Sequence, residues 1–165
     1  MAETLANWFV ENLSGTLSRE IIVAIVSMLP ILELRGGIIA GFAMGMEWLP
    51  TFIIAYIANL IPIPFILLFI RFIFKVLRQT PLKGVVDWCE RKADSKSEQI
   101  RKYAYWGVYL FVAVPLPGTG AWMGALISVL LNMDAKKTFP VICLGVLTAG
   151  IIMSVLSYGV LGTIF

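Results

Sequence analysis

Between Ile21 and Ile70 the chain carries three charged residues, Glu33, Arg35 and Glu47. Glu33 and Arg35 stand between two uncharged runs, Ile21–Leu32 and Gly36–Met46. A helix needs about 20 apolar residues to cross a bilayer, and runs of about 10–14 suit core or re-entrant segments. Each run is therefore half a span. Ionisable groups placed between such runs are unfavourable and tend to be kept for function. The stretch Pro30-Ile-Leu-Glu-Leu-Arg-Gly-Gly37 reads as the tip of a half-membrane hairpin and part of a transport site.

The rest of the composition agrees. Of 165 residues, 59% are hydrophobic, and the mean hydropathy is +0.90. A soluble domain is nearer half apolar and carries more charge, so the chain reads as a polytopic membrane protein with its whole length in one membrane domain. The net charge of +3 is gathered in one segment and is no nucleic-acid footprint. With no histidine in the chain, His-based acid–base catalysis and His-ligated zinc or haem are excluded. Cys89 and Cys143 have no metal-binding spacing. Neither a metal nor a cofactor is expected, and no enzyme chemistry is indicated. Residues 1–15 hold no Lys or Arg. Leu5, Trp8, Phe9 and Leu13 share one helical face there, which predicts an interfacial N-terminal segment.

In chain order, Ser18 is placed to cap a helix beginning near Arg19. Pro30 discourages continuation through the charged motif, and Gly36 and Gly37 add backbone freedom, so all three are expected breaks of the hairpin. Gly37, Gly41 and Gly45 recur every fourth residue, a stripe where a backbone can approach closely. Pro50 opens a full span reaching Phe74, interrupted by Asn59, Pro62 and Pro64. Asn59 faces the interior or another helix. Lys75–Lys102 is the long hydrophilic stretch and predicts an amphipathic cytoplasmic linker helix, with Asp87/Arg91 and Glu98/Lys102 at pairing distance. Leu82, Val85, Val86 and Cys89 form its apolar edge. A second apolar region from Tyr103 to Leu131 is broken at Pro115-Leu-Pro117-Gly118-Thr119-Gly120. A half-helix starting near Thr119 would aim free N–H groups at the membrane midplane. Asp134, Lys136 and Lys137 then form a polar loop before a final span, Thr138–Phe165.

The two halves share one layout: half-helix, proline break, small-residue stripe, short loop, full span. Pro30 matches Pro115, and Gly37, Gly41 and Gly45 match Gly120, Gly124 and Ser128. The expected fold is all-α, with two inverted repeats (16–77 and 103–165), each a re-entrant helical hairpin plus a transmembrane helix, joined by the linker 78–102. This arrangement puts eleven basic residues on one side of the membrane and Arg19 alone on the other. Four plain spans are the rival arrangement.

Glu33-Leu-Arg-Gly-Gly-Ile-Ile-Ala-Gly41 and Pro115-Leu-Pro-Gly-Thr-Gly-Ala-Trp-Met-Gly-Ala-Leu126 resemble the small multidrug export protein family of prokaryotes. The layout is also distantly similar to DedA-type membrane proteins. The resemblance implies a multi-pass protein of the prokaryotic inner membrane. From the DedA side it implies facing hairpins and a lipid-carrier substrate.

The expected function is a small secondary transporter for an amphiphilic or phosphate-bearing lipid substrate. Glu33 would couple protons: burial favours its neutral form and Arg35 its charged form. Arg35 would contact an anion. Asn59 and Thr119 complete the candidate binding set. Expected partners are membrane lipids and a second copy in a homodimer, with no nucleic acid. An uncoupled lipid scramblase or polyprenyl-phosphate translocase is one alternative. A scaffold subunit that transports nothing is another.

Overall fold

The computed structural model describes residues 17–81, 83–94, 97–116 and 118–160. All regular elements among them are helices: α1 (Arg19–Met28), α2 (Glu33–Ala43), α3 (Trp48–Leu60), α4 (Pro62–Leu77), α5 (Lys83–Asp94), α6 (Ser97–Ala113), α7 (Ala121–Leu130) and α8 (Ala135–Ser154), followed by a π-helical segment, Val155–Val160. Residues 1–15, Leu82, Pro117 and the end of the final span lie outside the described residues, as do the side chains of Val85 and Cys89.

Two stretches are long and apolar enough to cross a bilayer, Trp48–Ile70 and Ala135–Gly159. In the first, α3 passes into α4 through Ile61, because Pro62 and Pro64 offer no N–H to the preceding turn. These helices turn apolar side chains outward: Phe65, Leu68 and Phe72 are 61%, 65% and 66% exposed. Polar side chains point inward, with Ser27, Glu33, Thr51, Asn59, Ser128 and Thr138 all buried. This distribution suits an apolar solvent. Four of the buried hydroxyls return to their own helix: Ser27 donates to Val23 O, Thr51 to Glu47 O, Ser128 to Gly124 O and Thr138 to Asp134 O, at 2.7–2.9 Å. A hydroxyl bonded this way is satisfied without water.

The short helices are fixed by small residues. A methyl group at Gly37 would run into the Ser27 side chain and stand 3.2 Å from Ala55 Cβ, and one at Gly41 would run into Thr51. These contacts set α2 against α1 and antiparallel to α3. Gly36 and Gly37 are therefore not breaks, contrary to the sequence expectation. Both lie within α2, where they allow close packing. The break is confined to Leu29–Leu32, around Pro30.

The ends of α2 and α7 repeat one turn. After α2, Gly45 has φ +67° and Met46 N–H donates to Gly41 O at 2.9 Å. After α7, Asn132 has φ +58° and Met133 N–H donates to Ser128 O at 2.9 Å. Both are left-handed helix terminations that satisfy the last carbonyls. An acidic residue then takes the N-cap position of the next helix, Glu47 before α3 and Asp134 before α8. In these two turns Gly41 corresponds to Ser128 and Gly45 to Asn132, one helical turn from the correspondence expected from the sequence. Lys136 and Lys137, expected in the loop, stand in the first turn of α8, where Asp134 accepts from Lys136 N–H at 2.9 Å.

The long helices cross in opposite directions. Tyr56 Oη donates to Cys143 O at 3.3 Å, Phe52 packs on Gly150, and Tyr158 Oη donates to Met46 O at 3.2 Å. The main core cluster draws on both halves, with Leu34, Ile38 and Ile63 beside Val108, Ala121, Ile142 and Val146. The hydrophilic linker is not one helix. Pro81 disfavours helix at Thr80, and α5 begins at Lys83. Among the described residues of the linker Val86 is buried and the ion pair found is Arg78–Glu90 rather than Asp87–Arg91, while the side chain of Glu98, expected to pair with Lys102, lies outside them. From Ser97 the chain continues as α6 through a kink at Ala104, φ +49°.

Candidate functional site

Ser18 occupies the N-cap position of α1 without a side-chain cap bond. Ten residues on, α1 stops, because Pro30 bars its continuation. The chain turns through Leu29–Leu32 and enters α2 at Glu33, whose φ is +51°. A left-handed conformation is rarely held by a residue of this size. Here it directs the side chain across to the second half of the molecule.

The second break is irregular, with Gly118 at φ +79° and Gly120 at φ +141°. It ends at Ala121, the first residue of α7. The Glu33 carboxylate accepts hydrogen bonds from both first-turn amides: Ala121 N–H to Oε2 and Trp122 N–H to Oε1, each at 3.1 Å. Glu33 is 6% exposed. A carboxylate at this point satisfies N–H groups that have no partner inside α7 and faces the positive end of its dipole. Gly120 makes the approach possible, since a methyl group there would fall on the Glu33 carboxylate.

Arg35 reaches the same break from two residues further along α2. Its Nη1 donates to Leu116 O at 2.7 Å, and its Nη2 donates to Val114 O at 3.3 Å and Thr119 Oγ1 at 3.2 Å. The Thr119 hydroxyl lies 2.8 Å from Leu116 O and 3.0 Å from Val114 O. The guanidinium fork thus gathers the carbonyls that the proline-containing stretch leaves without helical partners. Neither charged side chain is spent on the other: the carboxylate takes the helix amides and the guanidinium takes the loop carbonyls.

Asn59 comes to this junction from α3. It is 1% exposed, and its Oδ1 has no hydrogen-bond partner. With Glu33, Arg35, Val112, Ala121 and Val146 it lines a small cavity of about 10 Å³. Glu33, Arg35, Asn59 and Thr119 therefore stand in one neighbourhood, with Pro30 in the first break and Pro115, Gly118 and Gly120 in the second. Sequence reasoning expected free amides where the half-helix after the second break begins, and Ala121 N and Trp122 N are those amides; the groups it did not single out are the main-chain acceptors Val114 O and Leu116 O. The density of proline and glycine before Ala121 was the signal for exposed backbone. Nothing in the sequence told which side chain would meet which group.

A second concavity lies outside, between α6 and α8. It is an open apolar groove of about 480 Å³ lined by Tyr105, Trp106, Tyr109, Val141, Leu144 and Thr148. Tyr109 Oη and Thr148 Oγ1 bond to each other at 3.1 Å. Lys137 stands one turn before Val141 on the same face of α8 and is exposed.

No curated protein and no solved structure matches the chain. A sequence profile of one family does, and it covers residues 33–152, from Glu33 itself into the last long helix. The matched region begins directly after the first break and takes in the second break, the cavity between them, the first long apolar helix and most of the second, so the chain is a membrane protein and belongs to the family described as Putative small multi-drug export protein.

Proposed function

We propose that this protein is a small secondary transporter that moves an amphiphilic or lipid-like substrate, coupled to protons through Glu33. The observation that carries the reading is the Glu33 carboxylate, buried at an interface between the halves and holding the first-turn amides of α7 at 3.1 Å. An ionised carboxylate accepts both bonds, whereas a protonated one has an O–H to place elsewhere. Proton binding would therefore loosen the joint between the halves, the kind of change that alternating access needs.

In this reading the halves are inverted repeats, and each break is the tip of a re-entrant hairpin. Several contacts support it. The long helices cross antiparallel, through Tyr56 with Cys143 and Phe52 with Gly150. Helices α2 and α7 end in the same turn. Along α6 the partners on α8 advance in step: Tyr105 and Trp106 share a groove with Val141 and Leu144, and Val112 packs on Gly145. So α6 and α8 run in the same direction, which returns α7 to the side from which α6 came. The layout is the one that suggests likeness to DedA-type proteins. Inner-membrane placement follows from gathering the basic residues on the cytoplasmic side.

The interior cavity of about 10 Å³ is too small for any cargo. We place the apolar part of the substrate in the groove between α6 and α8, with an anionic head toward Lys137. Arg35 keeps Nε and one Nη1 hydrogen for an anionic group once the head reaches the tips. A second copy of the chain would complete the pathway. The smallness of the cavity also favours a second reading, an uncoupled scramblase whose lipid passes along the outer groove.

Translocation of a fluorescent, nitrobenzoxadiazole-labelled phosphatidylglycerol in proteoliposomes, read by dithionite quenching, tests the site. Wild-type protein should exceed protein-free vesicles, and Glu33→Gln and Arg35→Ala should fall to that background. Unchanged rates in both variants would remove Glu33 and Arg35 from the function.

A further inference from the structure

Among the described residues, three buried side-chain atoms lack a hydrogen-bond partner: Asn59 Oδ1, Trp122 Nε1 and Ser154 Oγ. Of the three residues, Asn59 alone lines the cavity beside Glu33. A buried amide oxygen without a donor is unfavourable, and its persistence asks for a reason. The cavity of about 10 Å³ is the size that holds one water molecule.

The groups around Glu33 make the reason specific. On its own helix, Arg35 offers donors and no acceptor. Helix α7 presents the Ala121 and Trp122 amides, again donors. Helix α6 brings Val112, and α8 brings Val146 and Ala149, all apolar. No titratable group other than Arg35 lines this space. The surroundings are complete for an ionised carboxylate. A protonated one must donate its O–H, and among the described residues lining the cavity Asn59 Oδ1 is the one side-chain acceptor besides Glu33 itself.

We infer that Asn59 is the positioning residue for the protonated form of Glu33, through a single water held between the two side chains. This rests on the reading that Glu33 exchanges protons during transport. A proton from solution binds one carboxylate oxygen. That oxygen releases its α7 amide, its new O–H donates to the water, and the water donates to Asn59 Oδ1. No other bond forms or breaks. Asn59 thereby gives the protonated state a defined geometry, and α7 is free to move while that state lasts.

The test is infrared difference spectroscopy of the full chain in lipid bilayers across a pH titration. The protonated carboxyl C=O band of Glu33 is identified as the band missing from Glu33→Gln. In Asn59→Leu that band should move to higher wavenumber, as a carboxyl losing its acceptor does, and its proton affinity should fall about tenfold. In Asn59→Asp, which keeps the shape and strengthens the acceptor, the band should move the other way. A Glu33 band unmoved in both variants overturns the role of Asn59 and leaves the proton reading standing. No Glu33-dependent band at any pH in folded protein overturns both.

Discussion

The Glu33 carboxylate and the Ala121 backbone amide meet at 3.1 Å, although they stand 88 positions apart in the chain. One opens the helix that follows the first break and the other opens the helix that follows the second. The bond joins two segments that are each irregular and each surrounded by apolar helices. Neither segment satisfies all of its own polar groups. The first has a carboxylate and a guanidinium with no local partners, and the second has first-turn amides and loop carbonyls. Together they satisfy most of them, which is what an apolar surrounding demands of non-helical backbone.

Gly120 should tolerate no side chain. Gly120→Ala places a methyl group on the Glu33 carboxylate and forces φ +141° on an L residue. The expected loss is about 1–3 kcal/mol, read from thermal unfolding in detergent. In a double-mutant cycle with Glu33→Ala, the steric part should be recovered and the backbone part should remain, giving a coupling of about 1 kcal/mol or more.

Arg35 should act as the clamp of the second break. Arg35→Lys keeps the charge but replaces a planar fork by a single ammonium, so it cannot reach Val114 O, Leu116 O and Thr119 Oγ1 together. Hydrogen exchange at residues 114–120 should rise in Arg35→Lys and rise further in Arg35→Ala. Thr119→Val should have a smaller effect, because it leaves both carbonyl contacts of Arg35 in place.

Tyr158 ties the end of the chain to the start of α3, donating to Met46 O at 3.2 Å and lying 3.0 Å from Thr51 Oγ1. Tyr158→Phe keeps the edge-to-face contact with Phe42 and removes the hydroxyl. It should cost about 1 kcal/mol in thermal stability and leave the Glu33 site unchanged.

If the breaks are re-entrant tips, the two short acidic caps stand on opposite sides of the membrane. Single cysteines in a Cys89→Ser, Cys143→Ser background at Glu47 and Lys136 should react with an impermeant maleimide from opposite faces of oriented vesicles. Labelling of both from the same face would favour four plain spans.

The long helices and both breaks were legible in the sequence, for plain reasons. Trp48–Ile70 and Ala135–Gly159 are apolar over a bilayer's thickness, and the prolines near residues 30 and 115 have no place in a helix interior. The family resemblance was legible from the residues around Glu33 and Gly120. The role of Gly36 and Gly37 was not, because glycine serves both loose backbone and close packing. Only the neighbours Ser27 and Ala55 tell which applies. The register of the halves was ambiguous for a similar reason. A stripe of small residues every fourth position matches itself one turn away. The tie is broken by Asn132, which takes the left-handed turn that Gly45 takes in the first half. That the second break would offer amides was legible from its prolines and glycines, but that Glu33 alone takes them while Arg35 takes the loop carbonyls was not, since both charged side chains reach the same break.

The central claim is that Glu33 links proton movement to transport. It is tested most directly by imposing a pH gradient across proteoliposomes and following the labelled phosphatidylglycerol. The account predicts that wild-type translocation accelerates under the gradient and slows when nigericin collapses it, and that Glu33→Gln shows no response. A wild-type rate indifferent to the gradient, or a gradient response that survives in Glu33→Gln, would contradict it.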